Sequence, residues 1–291
     1  MNKNCCSVLV WLAAGFSLPT AFKHIQRIRF MRMYVLIFIL ISISSAHATG
    51  LPDTGQNLCY QGPGLPLAAC TELNTGDTAD YPGQDGRYGR DPAAALGQLP
   101  KTGAGEFGRD YTKVCNSGEL AGAGDCPDDP IPGNGNNEWA CTQDNVTGLM
   151  WEVKTDDGGL RDRDWKYSWY NTDASTNGGN AGSPDMGNVC FDLTRCDSQK
   201  YQSDINTIMP LCGYTQWRLP SKRELLTITN LNGNTVPDYF PNTQDLQYWS
   251  ATSYVIKPVH RAWVVDMFSA GTTLGDKSTS TYLRLVRGVH F

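Results

Sequence analysis

Apolar residues recur with a helical period just after Cys196. Four of them stand at i, i+4, i+7 and i+8, which is one face of a 3.6-residue repeat. They are Tyr201, Ile205, Ile208 and Met209. Asp197 or Ser198 precedes the pattern and can cap the helix, while Pro210 and Gly213 end it. The spacing therefore predicts a helix between about residues 197 and 209.

A second helical pattern follows Pro220. Ser221 and Glu224 have the spacing of a capping box, in which the hydroxyl accepts a bond from a free backbone amide and the carboxylate accepts one from the cap amide. The apolar residues that would face the core are Leu225, Leu226 and Ile228. We expect this helix to end between residues 230 and 233.

The other apolar runs of the second half predict β-strands. They are Gly148 to Lys154, Tyr248 to Thr252, Ala262 to Ser269 and Tyr282 to Arg287. Two short helices and several antiparallel strands joined by long loops indicate an α+β domain.

Residues 49–138 differ in composition, because they are dense in Gly, Pro, Asp and Asn and contain no Trp. This composition predicts turns and short irregular strands. The phrases YGRD (88–91) and FGRD (107–110) recur there but are too short to establish a repeat. The Pro- and Gly-rich run 126–137 predicts a linker. We therefore expect three segments: an N-terminal extension with a signal peptide (1–48), a turn-rich region (49–138) and a folded domain (139–291).

The first segment has the features of a secretory signal. Basic residues precede the apolar run Tyr34 to Ile41, which grades into small residues and ends at Ala46-His47-Ala48. This order predicts cleavage after Ala48. The apolar stretch is shorter than the ~20 residues that cross a bilayer. We expect export to the periplasm, the cell surface or the medium, without membrane insertion after cleavage. An upstream apolar stretch suggests that translation starts at Met31 or Met33.

Removal of residues 1–48 makes the chain strongly acidic. That segment contains five of the 24 Lys and Arg and none of the 29 Asp and Glu, which leaves a formal net charge of −10. Such a surface repels nucleic acid and anionic lipid. We expect neither as a partner.

Eight cysteines remain, and an even number in an exported chain predicts four disulfides. Eight cysteines allow 105 pairings, so the connectivity is open. Proximity favours Cys59–Cys70 and Cys115–Cys126, and elimination then leaves Cys190–Cys196 and Cys141–Cys212. Metal binding is disfavoured because the mature chain has no CxxC pair and retains only two histidines, His260 and His290.

The second half contains an ordered series of aromatic blocks. They are NVTGLMWEV (145–153), CGYTQWRLPSKREL (212–225), YFPNT (239–243), QYWSAT (247–252), AWVVDM (262–267) and YLRLVRG (282–288). From Trp139 to Phe291 the chain resembles the Lcl C-terminal domain family, the C-terminal domain of bacterial collagen-like adhesins. The resemblance implies an extracellular domain with a C-type-lectin-like fold that binds rather than catalyses. It implies no particular ligand.

Aromatic residues of two kinds need to be distinguished. Four Trp lie inside the family blocks next to apolar neighbours, which predicts core packing; they are Trp151, Trp217, Trp249 and Trp263. Trp165, Trp169 and Tyr170 lie instead in the polar run 156–171. Such aromatics beside carboxylates and amides are candidates for stacking on a sugar. The alternative is that they cover the core.

The same run contains four carboxylates, which are Asp156, Asp157, Asp162 and Asp164. Ca²⁺ takes six to eight oxygen ligands from loops of this kind, but the spacing does not match an EF-hand. The alternative is a solvated charge cluster, in which Arg161, Arg163 and Lys166 pair with the carboxylates. The cluster is favoured, so no cofactor is expected. The candidate ligand-binding residues are Asp156, Asp157, Arg161, Asp162, Asp164, Trp165, Trp169 and Tyr170.

Some adhesins of this family are associated with sulfated polysaccharides, which would require clustered cations. The candidates are Arg218, Lys222, Arg223, Lys257, His260 and Arg261. The acidic mature chain opposes such a ligand unless these residues converge.

The sequence favours an exported, non-catalytic binding or adhesion protein that recognises an extracellular glycan or protein. A structural component of a cell envelope or fimbrial assembly is the first alternative, and an exposed apolar patch without a polar pocket would indicate it. An enzyme is the second alternative. Formylglycine-generating oxidases of the same fold family need a reactive Cys pair, serine catalysis needs a suitably placed His, and only a carboxylate pair for glycoside cleavage stays open. The oligomeric state is also open.

Overall fold

The computed structural model describes residues 53, 55–56, 58–70, 83–230 and 238–289. They belong to one compact unit that spans His47–Phe291. The signal segment predicted within residues 1–48 lies outside the described residues. Within the part of the chain that the structure describes, no helix has the length and apolar character needed to cross a bilayer.

The described residues form short helices and antiparallel strands, so the α+β class is confirmed. The α-helices are α1 (Asp85–Tyr88), α2 (Arg90–Ala95), α3 (Ser198–Thr207) and α4 (Lys222–Thr227). The strands are β1 (Leu58–Cys59), β2 (Ala68–Ala69), β3 (Tyr111–Cys115), β4 (Trp139–Asp144), β5 (Met150–Glu152), β6 (Gln247–Ser253), β7 (Arg261–Asp266), β8 (Thr272–Asp276) and β9 (Val286–Arg287).

Three sheets organise these strands, in the orders β1-β2, β3-β4-β5-β9 and β6-β7-β8. Strand β3 precedes the expected linker, yet it pairs with β4 along its whole length, with Val114 opposite Cys141. The run 126–137 is also structured, since Trp139 N donates to Ile131 O at 2.8 Å. Strand β3 and the run 126–137 thus bond to β4 across the expected boundary at 138/139.

Both helices predicted in the second half are present. Asp197 caps α3 by accepting a bond from Lys200 N, and Ser221 and Glu224 form the complete capping box of α4. The helices end earlier than expected, at Thr207 and Thr227. Ile208, predicted on the apolar face of this helix, is the C-cap residue of α3 and is exposed.

Several strands were not predicted from the sequence. Strand β4 lies inside its sheet and five of its six residues are buried, so it lacks the alternation that marks a half-buried strand. The last predicted strand is reduced to β9. Arg284 interrupts the pattern because its guanidinium is buried and donates to Glu152 O at 3.0 Å and Thr243 Oγ1 at 2.7 Å.

The Trp side chains fill the core largely as predicted. Trp151, Trp217 and Trp249 are fully buried, and each such ring removes ~150–250 Å² from water. Trp263 is only half-buried, and the ammonium of Lys222 lies 3.9 Å from its ring centroid.

The four disulfides are those that proximity and elimination favoured. They are Cys59–Cys70, Cys115–Cys126, Cys141–Cys212 and Cys190–Cys196. The bond Cys141–Cys212 joins residues 71 apart in the sequence, so closing this loop in the unfolded chain is worth about 4 kcal/mol in the chain-entropy account. It attaches β4 to the turn after α3.

The two GRD tripeptides are in direct contact. Arg90 Nε donates to Gly108 O at 2.8 Å, and Gly108 N donates to Asp91 Oδ1 at 2.8 Å. A side chain at Gly108 would lie 2.3 Å from Arg90 Cβ, so this close approach requires glycine. The phrases thus act as two halves of one contact between α2 and the chain that leads into β3.

Candidate ligand-binding site

A cavity of about 540 Å³ opens between the loop after Trp169, helix α3, the start of α4 and strand β6. Its lining is mainly amide and hydroxyl side chains with one carboxylate and one guanidinium. The lining residues are Trp169, Tyr170, Asn171, Thr172, Asp173, Thr176, Gln199, Gln202, Arg218, Leu219, Ser221, Ala251 and Thr252. The volume falls within the ~300–1,000 Å³ usual for small-ligand sites.

The loop of residues 169–182 forms one wall, and side-chain-to-backbone turns hold its shape. Asn171 Oδ1 accepts a bond from Asp173 N at 2.9 Å. Asp173 Oδ1 accepts bonds from Ser175 Oγ at 2.7 Å and Ser175 N at 2.9 Å, and Asp173 Oδ2 accepts one from Thr176 Oγ1 at 3.1 Å. These bonds, that from the Ser175 hydroxyl foremost, hold the pKa of Asp173 below its ordinary value. Its carboxylate is therefore ionised at neutral pH.

Lys277 attaches this wall to the core. Its side chain is buried, and Nζ donates to Asn177 O at 2.9 Å and Asn180 O at 2.6 Å. The same ammonium lies 4.2 Å from the centroid of the Trp169 ring. Burial lowers the pKa of Lys277 to about 8. A cation held by carbonyls and an aromatic face therefore fixes the far end of the loop.

Helix α3 supplies the facing wall through two Gln residues. The Gln199 amide both accepts from Thr172 N at 2.9 Å and donates to Thr172 Oγ1 at 3.1 Å, so it is used in holding the loop. Gln202 Oε1 accepts from Leu219 N at 3.4 Å. Gln202 Nε2 and the hydroxyl of half-buried Tyr170 have no hydrogen-bond partner among the described residues. These two groups are free to meet a ligand.

Arg218 enters the lining already paired. Its guanidinium makes bonds of 2.9 and 2.7 Å to the two carboxylate oxygens of the buried Glu224. The same Glu224 closes the capping box of α4. The charge of Arg218 is thus neutralised by a partner beyond the cavity wall.

The predicted site residues are divided between two places. Tyr170 lines the cavity at its accessible surface. Trp169 also borders the cavity, but its ring is fully buried and Nε1 donates to Ser250 O at 2.9 Å. Trp165 is half-buried, packs against the core and donates from Nε1 to Gly159 O at 2.7 Å. Stacking on a sugar is therefore excluded for Trp169, because its ring has no accessible face.

The other predicted residues lie in residues 156–165, which we call the acidic loop. Asp162 is buried, and its carboxylate accepts bonds from the backbone N–H groups of Asp157, Gly158 and Asp164 at 2.7 to 2.9 Å. Asp157 accepts bonds from the side chains of Thr155 and Asn134 at 2.9 and 2.5 Å. These two carboxylates stabilise the turn itself.

Arg161 does not belong to a solvated charge cluster, which corrects the sequence interpretation. Its side chain is fully buried and donates to three backbone carbonyls, at 2.5 Å to Gly133, 2.5 Å to Val153 and 3.2 Å to Ala140. Asn134 Oδ1 accepts two further bonds. Arg161 therefore joins the run 126–137 to the sheet, and a ligand cannot reach it.

The predicted charge pairing is present at Arg163 instead. Its guanidinium lies 3.1 Å from Asp156 and 3.9 Å from Asp164. Lys166 lies over the ring of Tyr282, with its ammonium 4.9 Å from the centroid.

Calcium was the other interpretation of these carboxylates. Asp156, Asp162 and Asp164 each offer an oxygen within 4.8 Å of the others. Both oxygens of Asp162 already accept backbone bonds, and Arg163 lies against the other two carboxylates. This donor set falls short of the six to eight oxygens that Ca²⁺ prefers.

Sequence reasoning missed most of the cavity lining. Gln199 and Gln202 stand three residues apart on the polar side of the predicted helix α3, and this i, i+3 pair was the available signal. Asn171, Thr172 and Asp173 carry only a general turn signal. Nothing local indicates that these two segments meet.

The comparisons with known proteins agree with the aromatic block series. The profile of the Lcl C-terminal domain matches residues 140–287. A search of curated proteins finds no match to the chain. The match covers half of the chain and includes all four Trp blocks, α3, α4 and the cavity, so the chain belongs to the Lcl C-terminal domain family.

Proposed function

We propose that this is an exported, non-catalytic binding or adhesion protein that captures an extracellular glycan or another surface ligand in the cavity bounded by the 169–182 loop. We further propose that its C-terminal domain has a C-type-lectin-like fold. The signal-like segment 1–48 and the four disulfides support export, because disulfides persist in oxidising compartments.

The observation that carries the binding proposal is the pairing of a rigid wall with free polar groups. Asx turns and Lys277 hold the 169–182 loop in place before any ligand arrives, which reduces the entropy lost on binding. Gln202 Nε2 and the Tyr170 hydroxyl face the same cavity and have no partner among the described residues. A site of this kind is built to receive hydrogen-bonding groups.

The polar groups of the cavity also support binding over catalysis. Asp173 is a poor proton donor because its pKa is lowered, and the hydroxyl of Ser221 accepts the capping bond from Glu224 N at 3.1 Å. All eight cysteines of residues 53–289 form disulfides, so none of them offers the thiolate that thiol catalysis needs.

Glycan-array capture by the purified mature chain tests this proposal. We expect binding to at least one glycan class that falls about tenfold or more in Tyr170→Ala and in Gln202→Ala, since stacking and hydrogen bonding are both reduced. Phe268→Ala and Gln247→Ala are matched controls at exposed positions outside the lining and should bind as the unmodified chain does. Equal binding by all four variants would contradict the site.

A structural role is the second candidate, and one surface favours it. Met186, Val189, Phe191 and Leu193 are each 43–63% exposed, and all lie on or beside the loop closed by Cys190–Cys196. Clustered exposed apolar side chains mark protein contacts. Self-association that Phe191→Ser abolishes, together with failure to bind any glycan, would favour an assembly role over glycan capture.

A further inference from the structure

The charges around the cavity restrict which ligands it can accept. Its lining holds two ionisable acid or base side chains, Asp173 and Arg218. Arg218 forms a two-bond pair with Glu224, whose carboxylate is buried, so that pair has no net charge. Asp173 is exposed and ionised. The cavity therefore presents a single uncompensated negative charge.

Three lysines that adjoin lining residues make other contacts. Lys277 is buried behind Trp169 and donates to backbone carbonyls. Lys222 lies over the ring of Trp263. Lys200 pairs with Asp185 and lies 3.7 Å from Asp197. None of the three lines the cavity, and so none supplies a charge for a sulfate or carboxylate group.

The hydrogen-bonding capacity left in the lining suits hydroxyl groups. Asp173 Oδ2 accepts one bond, from Thr176, and a carboxylate oxygen can accept two. Ser221 and Thr252 each accept one backbone bond through their hydroxyl oxygen, which leaves the hydroxyl proton to donate. Gln202 Nε2 adds a donor. A sugar hydroxyl both donates and accepts, so it can match either kind of group.

We infer that the cavity selects a neutral, hydroxyl-rich saccharide and discriminates against sulfated or uronic-acid-containing ones, with Asp173 as the residue that sets this selectivity. This inference rests on the proposed function, because it assigns a ligand class to the same cavity. Its physical basis is the like-charge repulsion between Asp173 and an anionic sugar in a cavity whose lining holds no unpaired cation.

The test compares neutral saccharides with anionic ones. Binding of maltotetraose and chitotetraose is measured by ligand-observed NMR and calorimetry beside their sulfated derivatives and a heparin tetrasaccharide. We expect the neutral member of a bound pair to bind about five- to tenfold more tightly than the sulfated one. Asp173→Asn should remove most of that difference. Asp156→Asn deletes an equally exposed charge in the acidic loop and should preserve it.

The outcomes separate the two proposals. Tighter binding of the sulfated members, still weakened by Tyr170→Ala, would overturn the charge selectivity and leave the binding site standing. An unchanged neutral-to-sulfated ratio in Asp173→Asn would overturn the role of Asp173. Failure to bind any saccharide of the panel or of the array would overturn the proposed glycan function itself. Circular dichroism of each variant shows whether a lost signal reflects unfolding.

Discussion

The acidic loop and the cavity are both polar and both close to Trp residues, yet their polar groups are used differently. In the acidic loop, Asp162 accepts bonds from its own turn, Asp157 accepts bonds from Gly159 N and from Asn134, and Arg161 donates to buried carbonyls. At the cavity, Gln202 and Tyr170 retain free hydrogen-bonding groups. A high density of charge in a sequence therefore does not mean that the fold leaves those groups available to a ligand.

Removing Arg161 should have the largest effect of any single change in the acidic loop. Arg161→Ala leaves the carbonyls of Gly133 and Val153 without their buried donor, so we expect the free energy of unfolding to fall by about 3 kcal/mol or more. Urea unfolding measures it. Arg163→Ala removes only an exposed ion pair and should cost less than about 1 kcal/mol. Equal effects of the two variants would contradict the buried placement.

Asp162 should stabilise the loop in a pH-dependent way. Although partial burial opposes ionisation, the backbone N–H groups of Asp164, Gly158 and Asp157 hold the pKa of this carboxyl below its ordinary value. A carboxyl whose pKa is lowered in the folded state stabilises the fold at pH values above its unfolded pKa of about 3.9. That stabilisation is lost as the pH falls through the folded pKa.

Asp162→Asn should therefore lower the free energy of unfolding by about 1 kcal/mol at pH 7, and by less at pH 3. Denaturant unfolding at pH 7, 5 and 3 checks this, with Asp156→Asn as the control for an exposed carboxylate. A difference that stays constant with pH would show that the backbone bonds to Asp162 do not depend on its charge.

The cavity variants should lose ligand binding while keeping their stability, which is the opposite of what we expect for Arg161→Ala. Tyr170→Ala and Gln202→Ala remove groups that face a cavity, so we expect the free energy of unfolding to change by less than about 1 kcal/mol while ligand capture falls. Unfolding and binding are measured on the same preparations. A variant that loses stability and binding together would assign that residue to the scaffold.

Calcium should have the smallest effect. The carboxylates of the acidic loop already form hydrogen bonds with backbone amides or ion pairs with Arg163. We therefore expect millimolar Ca²⁺ to shift the Tm by less than about 1 °C. Differential scanning calorimetry with Ca²⁺ and with chelator measures the shift. A rise of several degrees that Asp164→Asn abolishes would restore the calcium interpretation and remove the contrast between the two regions.

The sequence was sufficient wherever the cause of a structure is local. The capping box of α4 and the Asp197 cap of α3 depend on residues three positions apart, and both are present. The short-range disulfides also followed from spacing. The helix ends did not, since α3 stops at Thr207 and Ile208, predicted within the helix, is its exposed C-cap residue. Strand β4 was not predicted because both its faces are covered, so its residues lack the alternation of apolar and polar positions.

The α+β class, the family, the number of disulfides and the burial of most Trp could be predicted without a structure, because they follow from patterns, block order and the cysteine count. Which polar residues are free became visible in the three-dimensional structure alone. Arg161 and Arg163 stand two positions apart with the same chemistry, yet one is buried among carbonyls and the other is at the surface. Whether a polar group is satisfied depends on partners distant in the chain, such as Gly133 for Arg161 or Leu219 for Gln202. Burial and long-range hydrogen bonding therefore distinguish the satisfied polar groups from the free ones, and no local pattern encodes them.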